Sequence, residues 1–234
     1  MDTISQSFAL ALRMLAHLDP QLTQIVGLSL VISLSSTLCS ALIGLPLGAA
    51  VAIARFPGRH AVIVALNAAM GLPTVVVGLA VYLLLSRAGP LGELGLLFTP
   101  PAMVIAQTIL IVPIIAALTR QIVDDAWTEY REQLHSLHST WWQSTRTLLW
   151  DARWSLLTVL LAGFGRAAAE VGAVIIVGGN IDGVTRVMTT AIALETSKGD
   201  LALALGLGLV LITLVMALNV GAHVTRGWAR ARFG

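Results

Sequence analysis

Residues 22–54 read LTQIVGLSLVISLSSTLCSALIGLPLGAAVAIA and contain no charged side chain. As one helix this stretch would be about 50 Å long at 1.5 Å per residue, against a bilayer hydrocarbon core of about 30 Å. It must therefore tilt, kink near Pro46 or project from the membrane. Four further stretches pass the same test: 61–86 with Pro73 inside, 102–119 with Pro113 inside, 154–177 and 201–222. Lipid cannot satisfy an open strand edge, and none of the five shows the alternation of a barrel strand. All five read as transmembrane helices, and residues 22–222 as one all-α integral membrane domain.

The rest of the composition agrees. Charged residues make up 11% of the 234, where a soluble domain carries about 25%. A net charge of +2 is too small to argue for nucleic acid. Cys39 is the only cysteine, which excludes a disulfide framework and a CxxC zinc site, and its apolar surroundings suggest a packed thiol.

Orientation comes from the basic residues between spans. Arg55, Arg59, Arg120, Arg131, Arg146, Arg153, Arg226, Arg230 and Arg232 fall on one side; Arg13, Arg87, Arg186 and Lys198 fall on the other. This places the N-terminus outside and the C-terminus, with a basic tail at 223–234, in the cytoplasm. Trp127, Trp141, Trp142, Trp150, Trp154 and Trp228 also lie on the cytoplasmic side, more than an aromatic belt requires. Residues 1–21 lack the basic start of a signal peptide. Phe8, Leu12, Leu15 and Leu18 share a face apart from Arg13 and His17, so an interfacial amphipathic helix is expected.

Two connections are more than loops. The cytoplasmic segment 120–153 splits into an acidic helical piece (Asp124, Asp125, Glu129, Glu132) and a second piece that starts after Ser139 and Thr140. In the second piece Trp141, Trp142, Thr145, Leu148, Leu149 and Ala152 recur at helical spacing. Such a hairpin docks a soluble partner or lies on the inner leaflet. The external segment 178–200 opens with the turn formers Gly178, Gly179, Asn180, Asp182 and Gly183. A helix after Asp182 would set Val184, Val187, Met188, Ala191 and Ile192 on one face and Thr185, Arg186, Thr189, Thr190, Thr196 and Ser197 on the other. The polar row fits either an oxyanion contact at a helix start or a solvated outer face.

Ionisable groups at membrane depth are costly unless paired, and only Arg166 and Glu170 lie inside a predicted span. Four residues apart, they fit a neutralising pair, and Arg166 also fits a group facing a polar path. Gly163, Gly165, Ala167, Ala168, Ala169 and Gly172 surround them with small side chains, which allow close helix approach. The sequence has no GxxxxGK[ST], no HExxH, no clustered metal ligands and no membrane carboxylate relay. A secondary anion carrier would lack a coupling-ion site, and a membrane enzyme would lack a nucleophile and base at one depth. Five helices with so little polar surface enclose a route most economically as a pair of copies.

The string 162–173 (AGFGRAAAEVGA), with Val177 to Ile181, Thr185 to Ile192, and Glu195 and Thr196, resembles the membrane subunits of ATP-binding-cassette importers of the molybdate and tungstate type. Tungstate permeases are the nearer match. The family's EAA-type motif, Glu-Ala-Ala followed three residues later by Gly, corresponds here to Glu132, Gln133, Leu134 and His138, so only its glutamate is present. The resemblance implies a type I importer permease without its own ATPase site. It further implies a homodimeric pore working by alternating access, two ATPase subunits that use ATP and Mg, and an external oxyanion-binding protein. The setting would be a prokaryotic plasma (inner) membrane. Glu132, Gln133, Leu134, His138 and Trp141 would dock the ATPase. Arg166, Glu170, Asn180, Thr185, Arg186, Thr189 and Thr190 would line or gate the anion's route. No catalytic residue, metal or cofactor is expected in the chain itself.

Overall fold

A computed structural model describes residues 20–233, without the side chains of Ala222, His223 and 225–233. The expected amphipathic helix at 1–21 lies outside the described residues, apart from Pro20 and Gln21, which open the first long helix. The elements are α1 (Pro20–Ile53), α2 (Arg59–Ala69), α3 (Thr74–Leu85), a 3₁₀ turn (Gly92–Leu94), α4 (Pro100–Ser136), α5 (Trp141–Asp151), α6 (Arg153–Ala168), α7 (Gly172–Gly178), α8 (Met188–Lys198) and α9 (Leu201–Phe233). No strand occurs among the described residues. Three helices, α1, α4 and the Leu201–Gly221 part of α9, are each long and apolar enough to cross a bilayer. The pairs α2+α3 and α6+α7 qualify only when each is taken together across its break, which gives up to five spans.

Both breaks correct the reading of 61–86 and 154–177 as unbroken helices. In the first, Pro73 has no N–H to continue a helix and disfavours α geometry at Leu72, so Pro73 becomes the N-cap of α3. The second, at 169–171, contains no proline and is held by side chains from elsewhere in the chain. Two other spans run on past their expected ends: α4 continues through the acidic piece to Ser136, and α9 to Phe233.

The chain forms two compact units. One comprises residues 20–36, Pro73–Gln107 and Gly165–Leu218. Its core joins Leu22 and Ile25 of α1, Met188 and Ala191 of α8, and Leu203 and Leu207 of α9. Ser29 Oγ accepts the Met188 N–H at 2.7 Å, which caps the first turn of α8 from a residue 159 positions away. The backbones of α3 and α7 touch at Gly78, where a Cβ would come within 2.7 Å of Ala173 Cα.

The other unit comprises Thr37–Leu72, Thr108–Phe164 and the chain from Asn219. Ala49, Ala52 and Ile53 of α1 pack with Val123 and Leu134 of α4 and Leu148 of α5. The crossing of α1 on α4 is tight, since a Cβ on Gly48 would lie 2.4 Å from the Ala116 carbonyl oxygen. Below it, Arg59 donates to the carbonyls of Val51 (2.8 Å) and Ala52 (3.0 Å) and pairs with Asp124 at 2.9 Å. This one side chain caps the C-terminal carbonyls of α1, which has no basic residue in its last turn, and ties them to α4.

Along α1, Val31, Leu34, Leu38 and Leu42 point outward while Ser29, Ser33, Ser36 and Ser40 are buried. That is the arrangement of a helix solvated by lipid, with small hydroxyls inside and aliphatic chains outside. Cys39 is exposed with the outer residues, which corrects the expectation of a packed thiol.

Candidate functional site

At the break between α6 and α7, Arg166 Nη1 lies 2.6 Å from Glu170 Oε2. The two residues do share an i, i+4 ion pair, but Glu170 sits beyond the end of α6, not on its face. Its second oxygen accepts the Ala173 N–H at 3.0 Å in the first turn of α7, and its carbonyl accepts the Thr189 hydroxyl at 2.7 Å. Gln107 on α4 donates to the Ala167 carbonyl (3.1 Å) and accepts from Ser36 on α1 (2.7 Å). Backbone groups released by the interrupted helix thus find side-chain partners, which an apolar surrounding requires. Sequence reasoning missed Gln107; the signal was its standing as the sole amide side chain in the stretch 102–119.

The pair is lopsided. Glu170 is 3% exposed and Arg166 34%. Glu170 spends its charge on one guanidinium nitrogen and one backbone N–H, while the rest of the Arg166 fork is half open. A small void beside the break, lined by Ser29, Ser33, Gln107, Glu170 and Thr189 among others, has a volume of 10 Å³. That is about the space of a single water and far too small for a tetrahedral oxyanion. Its carboxylate wall would repel an anion as well. The accessible side of Arg166 thus presents a cation whose net charge is already balanced by Glu170.

The segment after α7 corrects the expected row of free donors. Helix α8 starts at Met188, not after Asp182, and Thr185, Thr189 and Thr190 are buried. The Thr185 hydroxyl donates to the Gly178 carbonyl and accepts the Ile181 N–H, and Thr190 Oγ1 accepts the Val187 N–H at 3.1 Å. A non-helical loop must satisfy its backbone through side chains, and these threonines do so. The first turn of α8 is likewise closed by Ser29. Arg186 pairs with Asp182 at 3.0 Å. Asn180, in left-handed conformation (φ 51), donates to the Thr190 carbonyl at 3.4 Å. Asn180 Oδ1 and Arg186 Nε are buried and have no hydrogen-bond partner among the described residues.

Helix α4 carries the acidic piece as its own continuation and turns into α5 through residues 137–140. At the end of α4 the His138 N–H bonds to the His135 carbonyl (3.0 Å) and the Ser139 N–H to the Leu134 carbonyl (3.1 Å), with His138 at φ 50. This is a Schellman closure, in which glycine is the usual residue at the left-handed position. His138 stands where the family motif has its glycine, and histidine is one of the few other residues enriched there. Thr140 then caps α5 in a reciprocal box with Gln143. Glu132, Gln133, His138 and Trp141 are exposed, whereas Leu134 is buried in the core and positions the hairpin from inside. Leu137, Trp142 and Trp150 add exposed apolar surface that the motif did not mark.

Two clefts flank this part of α4. One, of 570 Å³, lies between the end of α1 and the hairpin and is lined by Arg55, Arg131, His135, Trp127 and Trp141 among others. The other, of 580 Å³, carries Asp125, Glu129 and Asp151 around Tyr130. The carboxylates of Glu129 and Asp151, together with partial burial, push the Tyr130 phenol above its ordinary value of 10.0. No group of three His, Cys, Asp or Glu side chains among the described residues is arranged to hold a metal ion.

No family model matches the sequence. Among proteins of known name, the chain is 40% identical over 203 residues to a probable anion ABC transporter permease protein of Haloferax volcanii, covering 85% of this chain and 88% of that one. It is 38% identical over 219 residues to the tungstate uptake system permease protein TupB of Peptoclostridium acidaminophilum, covering 94% and 96%. A sulfate transport system permease protein, CysW of Synechococcus elongatus, is 28% identical over 177 residues, covering 73% and 62%. These are membrane subunits, in keeping with the apolar helices described above. The chain belongs to the permease family of anion and tungstate ABC transporters.

Proposed function

We propose that this chain is the pore subunit of an ATP-driven tungstate importer in a prokaryotic plasma membrane. Two copies form the pore, two ATPase subunits dock on the α4–α5 hairpins, and an external binding protein delivers the anion. The observation that carries the reading is 38% identity, over 94% of the chain, to a tungstate uptake permease. Five spans, counting each broken pair as one, would put the two ends on opposite sides, and the arginine distribution supports an outer N-terminus and a cytoplasmic hairpin. The chain has no ATPase site of its own; ATP and Mg are used by the docked subunits.

In this reading Arg166 faces the anion's route. An arginine that is 34% exposed at membrane depth needs a polar surrounding, and the interface of two copies can provide it. Its pairing with Glu170 makes the contact weak, which suits passage over retention. Thr185, Thr189 and Thr190 serve by shaping the segment after α7, since their hydroxyls are engaged there, while Asn180 and Arg186 are only partly engaged, through the Thr190 carbonyl and Asp182. Alternating access follows when ATP-driven closure of the ATPase pair moves the hairpins, with α4 joining hairpin and membrane as one continuous helix. Molybdate or another tetrahedral oxyanion is the second reading, supported by the likeness to a sulfate permease.

Proteoliposomes holding the complete complex should take up tungstate only with ATP and binding protein. Molybdate and sulfate should compete less well. Uptake by the permease alone would refute the importer reading, and an unchanged rate in Arg166→Ala would refute the assignment of the route.

A further inference from the structure

The 570 Å³ cleft between the end of α1 and the hairpin is lined by two arginines, Arg55 and Arg131. Arg59, Arg120, Arg166 and Arg186 each pair with a carboxylate, and Arg153 bonds the Trp150 carbonyl and stacks on Trp150. Arg55, Arg87, Arg131 and Arg146 make no hydrogen bond or ion pair among the described residues, and of these Arg55 and Arg131 share this one cleft. His135 and Trp127 close one wall with their rings in edge contact at 5.7 Å, and Glu132 supplies one carboxylate to the rim. A guanidinium is a rigid fork of donors matched to a carboxylate. Two of them beside aromatic walls, exposed and with no partner among the described residues, offer a paired set of donors to a group from outside the chain.

The height of the cleft restricts its occupant. Helix α1, with 34 residues, is about 51 Å long, against a hydrocarbon core of about 30 Å. From the end of the apolar stretch at Thr119, α4 continues another 17 residues, about 25 Å, to Ser136. Residues 120–136 of α4 carry Arg120, Asp124, Asp125, Glu129, Arg131 and Glu132, which hydrocarbon cannot solvate, so the cleft beside them is read as facing water. Glu132 on its rim repels an anionic lipid headgroup, whereas a protein surface can offer a cation to Glu132 while offering a carboxylate to the arginines.

We propose that this cleft receives a carboxylate-bearing segment of the ATPase subunit, held by Arg55 and Arg131. The proposal rests on the docking reading of the hairpin and adds a reciprocal socket on the permease, next to the surface that carries Trp142. The purified complex of permease and ATPase subunits tests it, with association measured at two salt concentrations. Arg55→Glu and Arg131→Glu should each weaken association at least tenfold and flatten its salt dependence, Arg131→Gln should weaken it less, and Arg87→Glu, far from the hairpin in sequence, should change nothing. Should the charge-reversed chains fail to fold, tight association by Arg131→Gln with an unchanged salt dependence would overturn the proposal. Wild-type association by both reversals, with weakening by Trp142→Ala, would overturn the socket and leave hairpin docking standing. Wild-type association by all three would remove both. Unchanged association with loss of co-purified anionic phospholipid would overturn the proposal in favour of a lipid site.

Discussion

Replacing Gly48 by alanine should lower stability, although alanine is the better helix former. The added Cβ would lie 2.4 Å from the Ala116 carbonyl oxygen, 2.8 Å from Thr119 Cβ and 3.0 Å from the Arg120 nitrogen. All three belong to α4 and two are backbone, so no side-chain rotation relieves the clash. Restoring an ordinary contact of 3.4 Å to the carbonyl requires the crossing to open by about 1 Å. A gap of that size forfeits about a quarter to a half of the dispersion energy of each contact, here among Ala49, Ala52 and Val123, which pack just below. Overpacking of this kind costs about 1–3 kcal/mol, offset by about 1 kcal/mol of helix propensity. Gly27, also inside α1, has nothing within 4 Å of its would-be Cβ, so Gly27→Ala gains the propensity without the clash. Thermal unfolding of the two detergent-purified variants, followed by tryptophan fluorescence, should place Gly48→Ala several degrees below Gly27→Ala, at about 2–4 °C per kcal/mol for a chain of this size. Equal midpoints, or Gly48→Ala the higher, would refute the close crossing.

His138→Gly should stabilise the hairpin turn by up to about 1 kcal/mol and His138→Val destabilise it by about 1–2 kcal/mol; amide hydrogen exchange across 132–140 should slow in the first and quicken in the second. Arg59→Gln loses the clasp on the Val51 and Ala52 carbonyls and the ion pair with Asp124. Because both partners are partly exposed, the expected loss is about 1–2 kcal/mol, with Asp124→Asn costing less because the carbonyl bonds survive. An Arg59→Gln midpoint equal to wild type would contradict the clasp. The Tyr130 phenol should ionise above pH 10 because the Glu129 and Asp151 carboxylates oppose a third negative charge. Asp151→Asn should bring its absorbance titration down, and an unmoved curve would remove Asp151 as a cause.

What the sequence made legible was local. The apolar run of α1, the Thr140 cap and the extent of α5 depend on residues within a turn or two of one another, and each was readable from spacing alone. The break at Pro73 was written locally too, by Gly71 and a proline that cannot donate, although the apolar run across 61–86 reads as one unbroken helix. The break at 169–171 was not. Its loose backbone groups are satisfied by Gln107 and Thr189, which are distant in sequence, and no window of neighbouring residues reveals such a bargain. For the same reason the threonines after Asp182 looked like a polar face offered to a ligand, when the unwound loop beside them had already claimed their hydroxyls. Of the candidate site, the Arg166–Glu170 pair was visible because two charges in an apolar span stand out, whereas the open side of Arg166 emerged only with the fold.

The capping of α8 by Ser29 bears on the order of assembly. A ribosome releases α1 long before Met188 exists, so the acceptor is waiting in the bilayer when the donor emerges. The last two helices can then mature against a template already laid down, whereas a chain lacking α1 would have to start α8 without that acceptor and without the Leu22 and Ile25 surface. Permuted chains that make α1 last should therefore insert their late segments poorly, even with every residue of the finished protein present.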